Sequence, residues 1–403
     1  MKVSVIGLGY IGLPTALMLA SHGVAVEAVD YNKDIVKSLQ NGQVTFEEDG
    51  LDELFQSAVK GGIKFCNEYP VADLYIAAVP TPYIEETKKI EPKYVVAAVK
   101  QILEVCPEGA IIVVESTVSP GTLDRSIRPL LENCEKKVHL AHAPERIIPG
   151  NMIYELVHNS RTIGCDDRSI GEKIREVYAS FCQGEIVLTD IRTAEMSKVV
   201  ENTFRDINIA FANELAKICR RDNMDVYEII RIANKHPRVN ILQPGPGVGG
   251  HCISVDPWFL VGDYPEDAVL IRQAREVNSA MPAFVLERIE SIMAENGIQD
   301  ISRVGLYGLT YKEDVDDVRE SPTLQLLDVM KARGVATPAV YDPMVSTTLV
   351  DRQYKDFDGF LNDVDMVVIL VGHSHLKENM TYIADKVVLD TRNITNIKNA
   401  SRL

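Results

Sequence analysis

"KVSVIGLGYIGLPTALMLASHGVAVEAVD", residues 2–30, decides the fold. It opens on a short β-branched run (2–7), continues through a segment with helical spacing (8–23) and closes on a second strand-like run (24–30). Gly7, Gly9 and Gly12 stand at the join between the first strand and the helix. A G-x-G-x-x-G that follows a strand and opens a helix is the spacing of a dinucleotide site. Gly7 permits the tight turn, Gly9 lets backbone approach a pyrophosphate, and Gly12 lets helix and strand pack closely. The helix N-terminus offers N–H groups to the anion. Asp30 ends the second strand, where a carboxylate can accept hydrogen bonds from a ribose diol. An acid there favours NAD over NADP, whose 2′-phosphate it would repel. A glycine turn without a cofactor is the plainer alternative, and Asp30 argues against it.

Outward from this unit the alternation continues. Residues 73–79, 110–116 and 138–143 read as buried strands, with helices over 91–106 and 122–134, and the pattern changes after 185–190. Apolar strands alternating with helices imply a parallel, doubly wound sheet. From Thr193 to Arg221 the chain holds no Pro or Gly and reads as one helix, more than about 40 Å long and able to link two domains. More helical sequence follows. Near Ser302 the strand–helix alternation restarts, with strands at 303–309, 337–343, 365–372 and 387–393 and a helix at 321–334. The expectation is an α/β protein of two Rossmann-like doubly wound parallel sheets, joined by a long central helix and a helical middle domain. Its domains would be residues 1–190, 191–298 and 299–403.

Composition narrows the function. The 403 residues are too many for one ordinary domain, and 46% hydrophobic residues suffice for proper cores. A net charge of -16 argues against a general nucleic-acid binder, though not against an anionic substrate. The seven cysteines are odd in number and no two are spaced CxxC, so neither a disulfide framework nor a zinc site is expected. No apolar run reaches membrane-spanning length, and the N-terminus reads as a strand rather than a signal peptide. These features read as a cytoplasmic protein with reduced thiols.

The stretch "HPRVNILQPGPGVGGHCISVDPWF", residues 236–259, interrupts the helical region. Its glycines and prolines confer a freedom that a packed core segment does not need, and Cys252 stands directly behind them, with His251 adjacent and Asp256 four residues on. A lone cysteine is more often a small buried side chain. Gly249 and Gly250, which bring backbone close to whatever the thiol faces, favour a nucleophile instead. On the long helix Lys198 and Asn202 are spaced i, i+4 and share a face. A lysine and an amide together can stabilise an oxyanion, although such pairs are commonly just a solvated face.

With these motifs the chain resembles the UDP-glucose/GDP-mannose 6-dehydrogenase family over essentially its whole length. The carrying strings are GLGYIGLP, VPTP (79–82), ESTVSPGT (115–122), HAPERIIPG (142–150), EMSKVVEN (195–202), GPGVGGHCISVDP (245–257) and GLTYKEDVDDVRESP (308–322). The resemblance implies an N-terminal NAD domain, a long central helix at a homodimer interface and a C-terminal nucleotide-sugar domain. It implies oxidation of a sugar C6 alcohol to a carboxylate with two NAD, no metal, and a UDP-sugar as substrate. An aldehyde has no second hydride to give until a nucleophile adds to it. Cys252 would add to form a thiohemiacetal, and the thioester left by the second transfer would be hydrolysed.

By the same resemblance Lys198 and Asn202 would stabilise oxyanions at C6, and Asp256 would act with Lys198 on a water or as base. Glu145 would be a general acid/base, and Thr117 would position the water. Tyr10, Ile11, Pro80, Thr81 and Thr117 would line the cofactor, with Arg319 at its phosphate. Gly247 and Gly249, in the loop 245–250, would wrap the sugar and phosphates, with Lys312 on the sugar nucleotide. Arg238 would reach the partner subunit's substrate. Three titratable groups in one pocket, Lys198, Asp256 and Glu145, would titrate as a coupled set. The plainer reading of Lys312 and Arg319 is a solvated charged run.

Departures from the UDP-glucose pattern bear on the sugar. Arg146 follows the Pro-Glu pair where those enzymes carry Phe, Pro149 stands near the end of that motif, and Val255 rather than Lys precedes Asp256. His251 and the whole 236–259 string look like the UDP-N-acetyl-D-mannosamine-oxidising members. Arg146 and Asn240 are candidates for the acetamido group. UDP-GlcNAc and UDP-glucose remain the close alternatives. A single-step dehydrogenase of the β-hydroxyacid type or a non-catalytic NAD sensor are the distant ones, and neither needs the thiol.

Overall fold

The computed structural model describes residues 1–250 and 252–403. The chain forms two compact units, Met1–Glu201 and Asn202–Leu403.

The first unit is built on eight strands: β1 (Lys2–Ile6), β2 (Ala25–Val29), β3 (Lys64–Cys66), β4 (Leu74–Ala77), β5 (Ile111–Val114), β6 (His139–His142), β7 (Arg161–Cys165) and β8 (Ile186–Thr189). Their order is β3-β2-β1-β4-β5-β6-β7-β8. β4 and β5 are buried at every residue, as strands covered on both faces must be. Val3, Val5, Leu74, Ile76 and Val113 from the sheet pack with Leu13 and Leu17 of the helix Gly12–Ser21 in one core. The strand order reverses between β1 and β4, and ligands bind α/β sheets at such a switch point.

Two features depart from expectation. The sheet is not wholly parallel: β6 and β7 pair antiparallel, with Ala141 opposite Cys165. β3 and β7 were also not legible as strands. β3 has three residues, and β7 (RTIGC) buries Arg161 and Thr162, so neither presents an apolar run.

The second unit carries a six-stranded parallel sheet: β9 (Val304–Tyr307), β10 (Ala339–Tyr341), β11 (Gln353–Tyr354), β12 (Met366–Ile369), β13 (Val387–Asp390) and β14 (Ser401–Arg402). The order is β11-β10-β9-β12-β13-β14, with its reversal between β9 and β12. β11 and β14, two residues each, are edge strands that sequence periodicity does not register. Leu306, Val340 and Val368 pack with Val285, Ile289 and Ile292 of the helix Met281–Glu295.

The helix Ile191–Arg221 runs unbroken for 31 residues through the boundary between the units. Its polarity is reversed. Glu195, Lys198, Asn202, Asp206 and Asn213 are buried, whereas Val200, Phe204, Phe211 and Ile218 are 46%, 65%, 51% and 49% exposed. At about 100° per residue, positions two apart lie on opposite sides of a helix. Each exposed apolar residue therefore stands across the helix from the polar file. No helix among the described residues is long and apolar enough to cross a membrane.

Candidate functional site

The glycine turn lies at the switch point of the first sheet. Gly7 has φ +91°, and its N–H donates to the Val29 carbonyl at 2.8 Å. A Cβ on Gly12 would lie 1.8 Å from the Gly7 carbonyl oxygen, so strand end and helix start touch through backbone. Around Gly9, by contrast, nothing lies within 4 Å of where a Cβ would be. Asp30 is buried, accepting from Leu8 N through Oδ2 and from Asn32 N through Oδ1, both at 2.8 Å. A carboxylate offers about four acceptor positions, so these two bonds fix its orientation and leave capacity for a diol. Turn, open glycine and oriented acid together fit an NAD. Tyr10 packs on Phe46, with ring centroids 4.5 Å apart, and Ile11 caps the helix start without a side-chain bond.

The loops after β4 and β5 are tied together beside this turn. Thr81 Oγ1 donates to the Thr117 carbonyl at 2.8 Å and Ser116 Oγ to the Val79 carbonyl at 2.6 Å. Pro80 between them is exposed. After β6 the chain places Glu145, a buried carboxylate, against the Arg161 guanidinium of β7, and Glu145 Oε1 accepts from Arg146 N at 2.5 Å. The Arg146 guanidinium bonds Thr162 Oγ1 (2.9 Å), Ser160 Oγ (3.1 Å) and Glu201 (2.9 Å), so its contacts run to the protein itself. Lys198 is buried on the long helix, one turn before Asn202.

In the second unit the Pro/Gly segment is held by side-chain amides. Asn208 brackets it, donating to the Asn240 carbonyl at 2.8 Å and accepting from Leu242 N at 2.9 Å. Asn213 Oδ1 accepts from Gly245 N at 2.9 Å. Asn213 in turn donates to Asn278, which donates to Asp206 Oδ1, both at 2.8 Å. Arg275 pairs with the same carboxylate oxygen at 2.6 Å. Burial pushes the Asp206 carboxyl up, and Arg275 opposes the shift. Gly249 and Gly250 lie under Tyr311: a Cβ on either would come within 2.8 Å of that side chain. Gly250 also has φ +80° and donates to the Arg319 carbonyl at 3.0 Å. Gly247, with φ +145°, faces Pro322.

Cys252 emerges from this segment exposed, while Cys106, Cys165, Cys182 and Cys219 are buried. Its carbonyl accepts from Asp256 N at 2.9 Å, which closes one turn and starts the helix Asp256–Asp263. Asp256 is buried, and its Oδ2 accepts from Asn202 Nδ2 at 2.6 Å. Two of the expected groups, Asn202 and Asp256, thus meet directly. Arg238 and Asn240 are exposed. His251 lies outside the described residues.

The switch point of the second sheet repeats the first. Gly308 has φ +101° and donates to the Tyr341 carbonyl at 2.8 Å, as Gly7 does to Val29. Asp342 ends β10 as Asp30 ends β2, and it accepts from Leu309 N, from Thr310 N (3.0 Å) and from Met344 N (2.7 Å). Here, however, the buried His373 ring bonds Asp342 Oδ2 through Nε2 at 3.2 Å. In the loop that follows, Arg319 forms a fork on Asp317, with NH2 at 2.6 Å, and Lys312 lends its carbonyl to Thr310 Oγ1 at 2.8 Å.

Sequence reasoning did not find Arg161, Asp206, Arg275, His373 or Arg392. Arg392, two residues past β13, brings NH1 to 2.9 Å from where a Cβ on Gly245 would be. Asp342 carried a readable signal, since AVYD repeats the strand-then-acid pattern of EAVD. Arg161, Asp206, Arg275 and His373 are buried polar groups whose partners lie far away in sequence, and Arg392 is exposed. Among the described residues no cluster of His, Cys, Asp or Glu is arranged to hold a metal ion.

Three family models match the chain in order. They are the UDP-glucose/GDP-mannose dehydrogenase family NAD binding domain over residues 1–182, its central domain over 192–280 and its UDP binding domain over 305–397. A UDP-N-acetyl-D-mannosamine dehydrogenase of Methanococcus maripaludis is 43% identical over 405 residues, covering 98% of this chain and 93% of that one. An NDP-N-acetyl-D-galactosaminuronic acid dehydrogenase of Ralstonia nicotianae is 40% identical, covering 98% and 96%. Among solved structures, the UDP-N-acetyl-mannosamine dehydrogenase of Staphylococcus aureus is 41% identical with a TM-score of 0.88, covering 100% of this chain and 96% of that one. The UDP-D-ManNAc dehydrogenase of Pyrococcus horikoshii is 35% identical with a TM-score of 0.91, covering 98% and 96%.

Proposed function

The chain belongs to the UDP-glucose/GDP-mannose dehydrogenase family, and from that premise we propose that it oxidises the C6 alcohol of UDP-N-acetyl-D-mannosamine to the uronate, with two NAD per sugar, through a thioester on Cys252. That it is an NAD-dependent UDP-sugar dehydrogenase follows from its relatives. The sugar and the covalent route are our reading. The observation that carries the route is the placement of Cys252: exposed, behind a tethered glycine segment, one turn ahead of the buried Asp256–Asn202 pair.

Gly7, Gly9, Gly12 and Asp30 hold the NAD, with Tyr10, Ile11, Pro80, Thr81 and Thr117 along it; when bound, it accepts hydride from C6. The Cys252 thiolate adds to the aldehyde carbon and forms the C–S bond of a thiohemiacetal. Loss of a second hydride leaves the thioester, and water cleaves the C–S bond, returning the thiol and releasing the carboxylate. One sugar, two NAD+ and one water thus give one uronate, two NADH and three protons. Lys198 and Asn202, on one face of the long helix, stabilise the oxygen charge that develops at C6. Glu145 and Asp256 handle the protons and Thr117 orients the water. Lys312, Arg319, Arg238, Asn240, Arg146, His251 and the 247–249 backbone serve the sugar nucleotide and the cofactor phosphate.

We further read the functional domains as 1–190, 191–298 and 299–403, and the protein as a cytoplasmic homodimer serving surface polysaccharide synthesis. The exposed apolar file of the long helix supports the dimer, because contiguous apolar surface of this kind marks a site of association.

The decisive experiment counts NADH formed per UDP-N-acetylmannosamine consumed, with excess NAD. Two NADH and a uronate are expected. One NADH and an aldehyde would overturn the role of Cys252. Faster turnover on UDP-GlcNAc, UDP-glucose or UDP-GalNAc would move the assignment to that sugar.

A further inference from the structure

Arg161 on β7 is 3% exposed and answers two carboxylates at once. NH2 pairs with Glu145 Oε2, and NH1 lies 3.3 Å from Glu115 Oε1. The Tyr178 hydroxyl donates to that same Glu115 oxygen at 3.0 Å, and the Tyr178 ring stacks on the guanidinium 4.4 Å from its centre. Glu115 is 1% exposed, and its Oε2 has no partner. Two carboxylates and one guanidinium leave a net negative charge in a site closed to water. Burying an uncompensated charge is costly enough that such a group takes up a proton instead.

We propose that Glu115, Arg161 and Tyr178 are positioning residues for Glu145, a cluster in which two carboxylates share one guanidinium and one exchangeable proton, so that the charge state of Glu115 sets the basicity of Glu145. The inference rests on the reading of Glu145 as an acid/base. Glu115 is the member that holds the proton. It lacks a partner on Oε2, whereas Glu145 has the close guanidinium contact and the Arg146 N–H. Burial, with Glu145 alongside and Arg161 opposing, pushes Glu115 up to about 7. Burial beside Glu115 keeps Tyr178 a phenol.

Among the described residues, the other ionisable groups near the cluster are Cys182, which acts on Arg161, Arg146, which is paired with Glu201, and the buried Lys198, read above as sharing the pocket of Glu145. His142 on β6 is held neutral by burial. With Glu115 neutral, Arg161 belongs to Glu145 and weakens it as a base. Once Glu115 ionises it draws on Arg161 and repels Glu145, which then binds a proton more readily.

Glu115→Gln keeps the shape and fixes the neutral state. The ratio of variant to wild-type kcat is therefore expected to lie nearest one on the acid side of neutrality. It should fall by about tenfold on the alkaline side. KM for NAD and for the UDP-sugar should change less than about twofold, because no binding group is altered. A ratio that stays constant with pH would overturn the proposal. The infrared carbonyl band of a protonated carboxyl gives a readout without turnover. It should titrate near neutrality in the wild-type protein, move to lower pH in Glu145→Gln, where Arg161 is left to Glu115 alone, and be missing in Glu115→Gln. A band that persists in Glu115→Gln would overturn the proposal alone, leaving Glu145 as acid/base. A Glu145→Gln variant with wild-type turnover would overturn that reading, and the proposal with it.

Discussion

Asn202 Nδ2 donates to Asp256 Oδ2 at 2.6 Å, so the amide of the long helix and the carboxylate one turn past Cys252 form a single buried pair. Removing the amide withdraws a donor from a carboxylate that has little water to turn to. Such a loss costs about 1–3 kcal/mol. Asn202→Ala is expected to lower kcat by roughly 10- to 100-fold, and Asn202→Asp, which sets like charges together, by more. Steady-state NADH production checks both; wild-type kcat in Asn202→Ala would remove the pair from the mechanism.

Tyr311, joined at Gly249 by the Glu320 carbonyl, explains why Gly249 and Gly250 are glycines, and the explanation is packing within the second unit. Gly250→Ala meets both the ring and a positive φ. It should destabilise the fold by roughly 1–3 kcal/mol. Tyr311→Ala in the same chain should restore part of that loss, leaving the backbone strain. Urea unfolding of the single and double variants measures the coupling, and strict additivity would show that the ring is not the obstacle.

The Asp206–Arg275 pair lies under the amides that tether the Pro/Gly segment. Arg275→Met leaves Asp206 buried without its cation, expected to cost about 3–5 kcal/mol. The double replacement Asp206→Leu with Arg275→Met should recover much of this. Denaturant midpoints decide it; a single variant as stable as the wild type would mean that the pair carries no such cost.

How much of this was readable beforehand depended on whether the signal was local. The turn at Gly7–Gly12, Asp30, the long helix and the place of Cys252 are each written within a few residues, and periodicity or spacing exposes them. β7 was missed because it opens on polar residues, and a buried strand that begins with Arg161 and Thr162 has no clear apolar run to find. Arg161 with Glu115 is 46 residues apart, and Arg275 with Asp206 is 69. No window along the chain brings such partners together. The glycines at 249 and 250 were visible, but the reason for them was not, because Tyr311 stands some 60 residues on.

Phe204 and Phe211 lie on the exposed file of the long helix. Under the proposed dimer, Phe204→Asp with Phe211→Asp should shift the chain toward a monomer, since charges at the centre of an apolar contact oppose association. Sedimentation velocity tests this. A dimer that survives both changes would place the interface elsewhere.

His142 ties stability to pH. It is fully buried on β6 with Nδ1 on the Val114 carbonyl, and burial pulls its pKa down from 6.5 to about 4. The folded pKa is the lower one, so the contribution is complete above the unfolded value and is lost as pH falls from about 6.5 toward 4. Its full size is about 3 kcal/mol. Urea midpoints taken across this range should decline more steeply for the parent chain than for His142→Gln, and parallel declines would rule the residue out.

Asp30 and Asp342 occupy the same place in two sheets of one chain, each clasping the turn after the first strand of its sheet. Only Asp342 has a histidine across it. A carboxylate left open can be a hook for whatever enters; one closed by its own side-chain neighbour becomes a ligament. The second domain has the frame of a nucleotide fold, but the acid at its switch point is tied to the chain's own histidine.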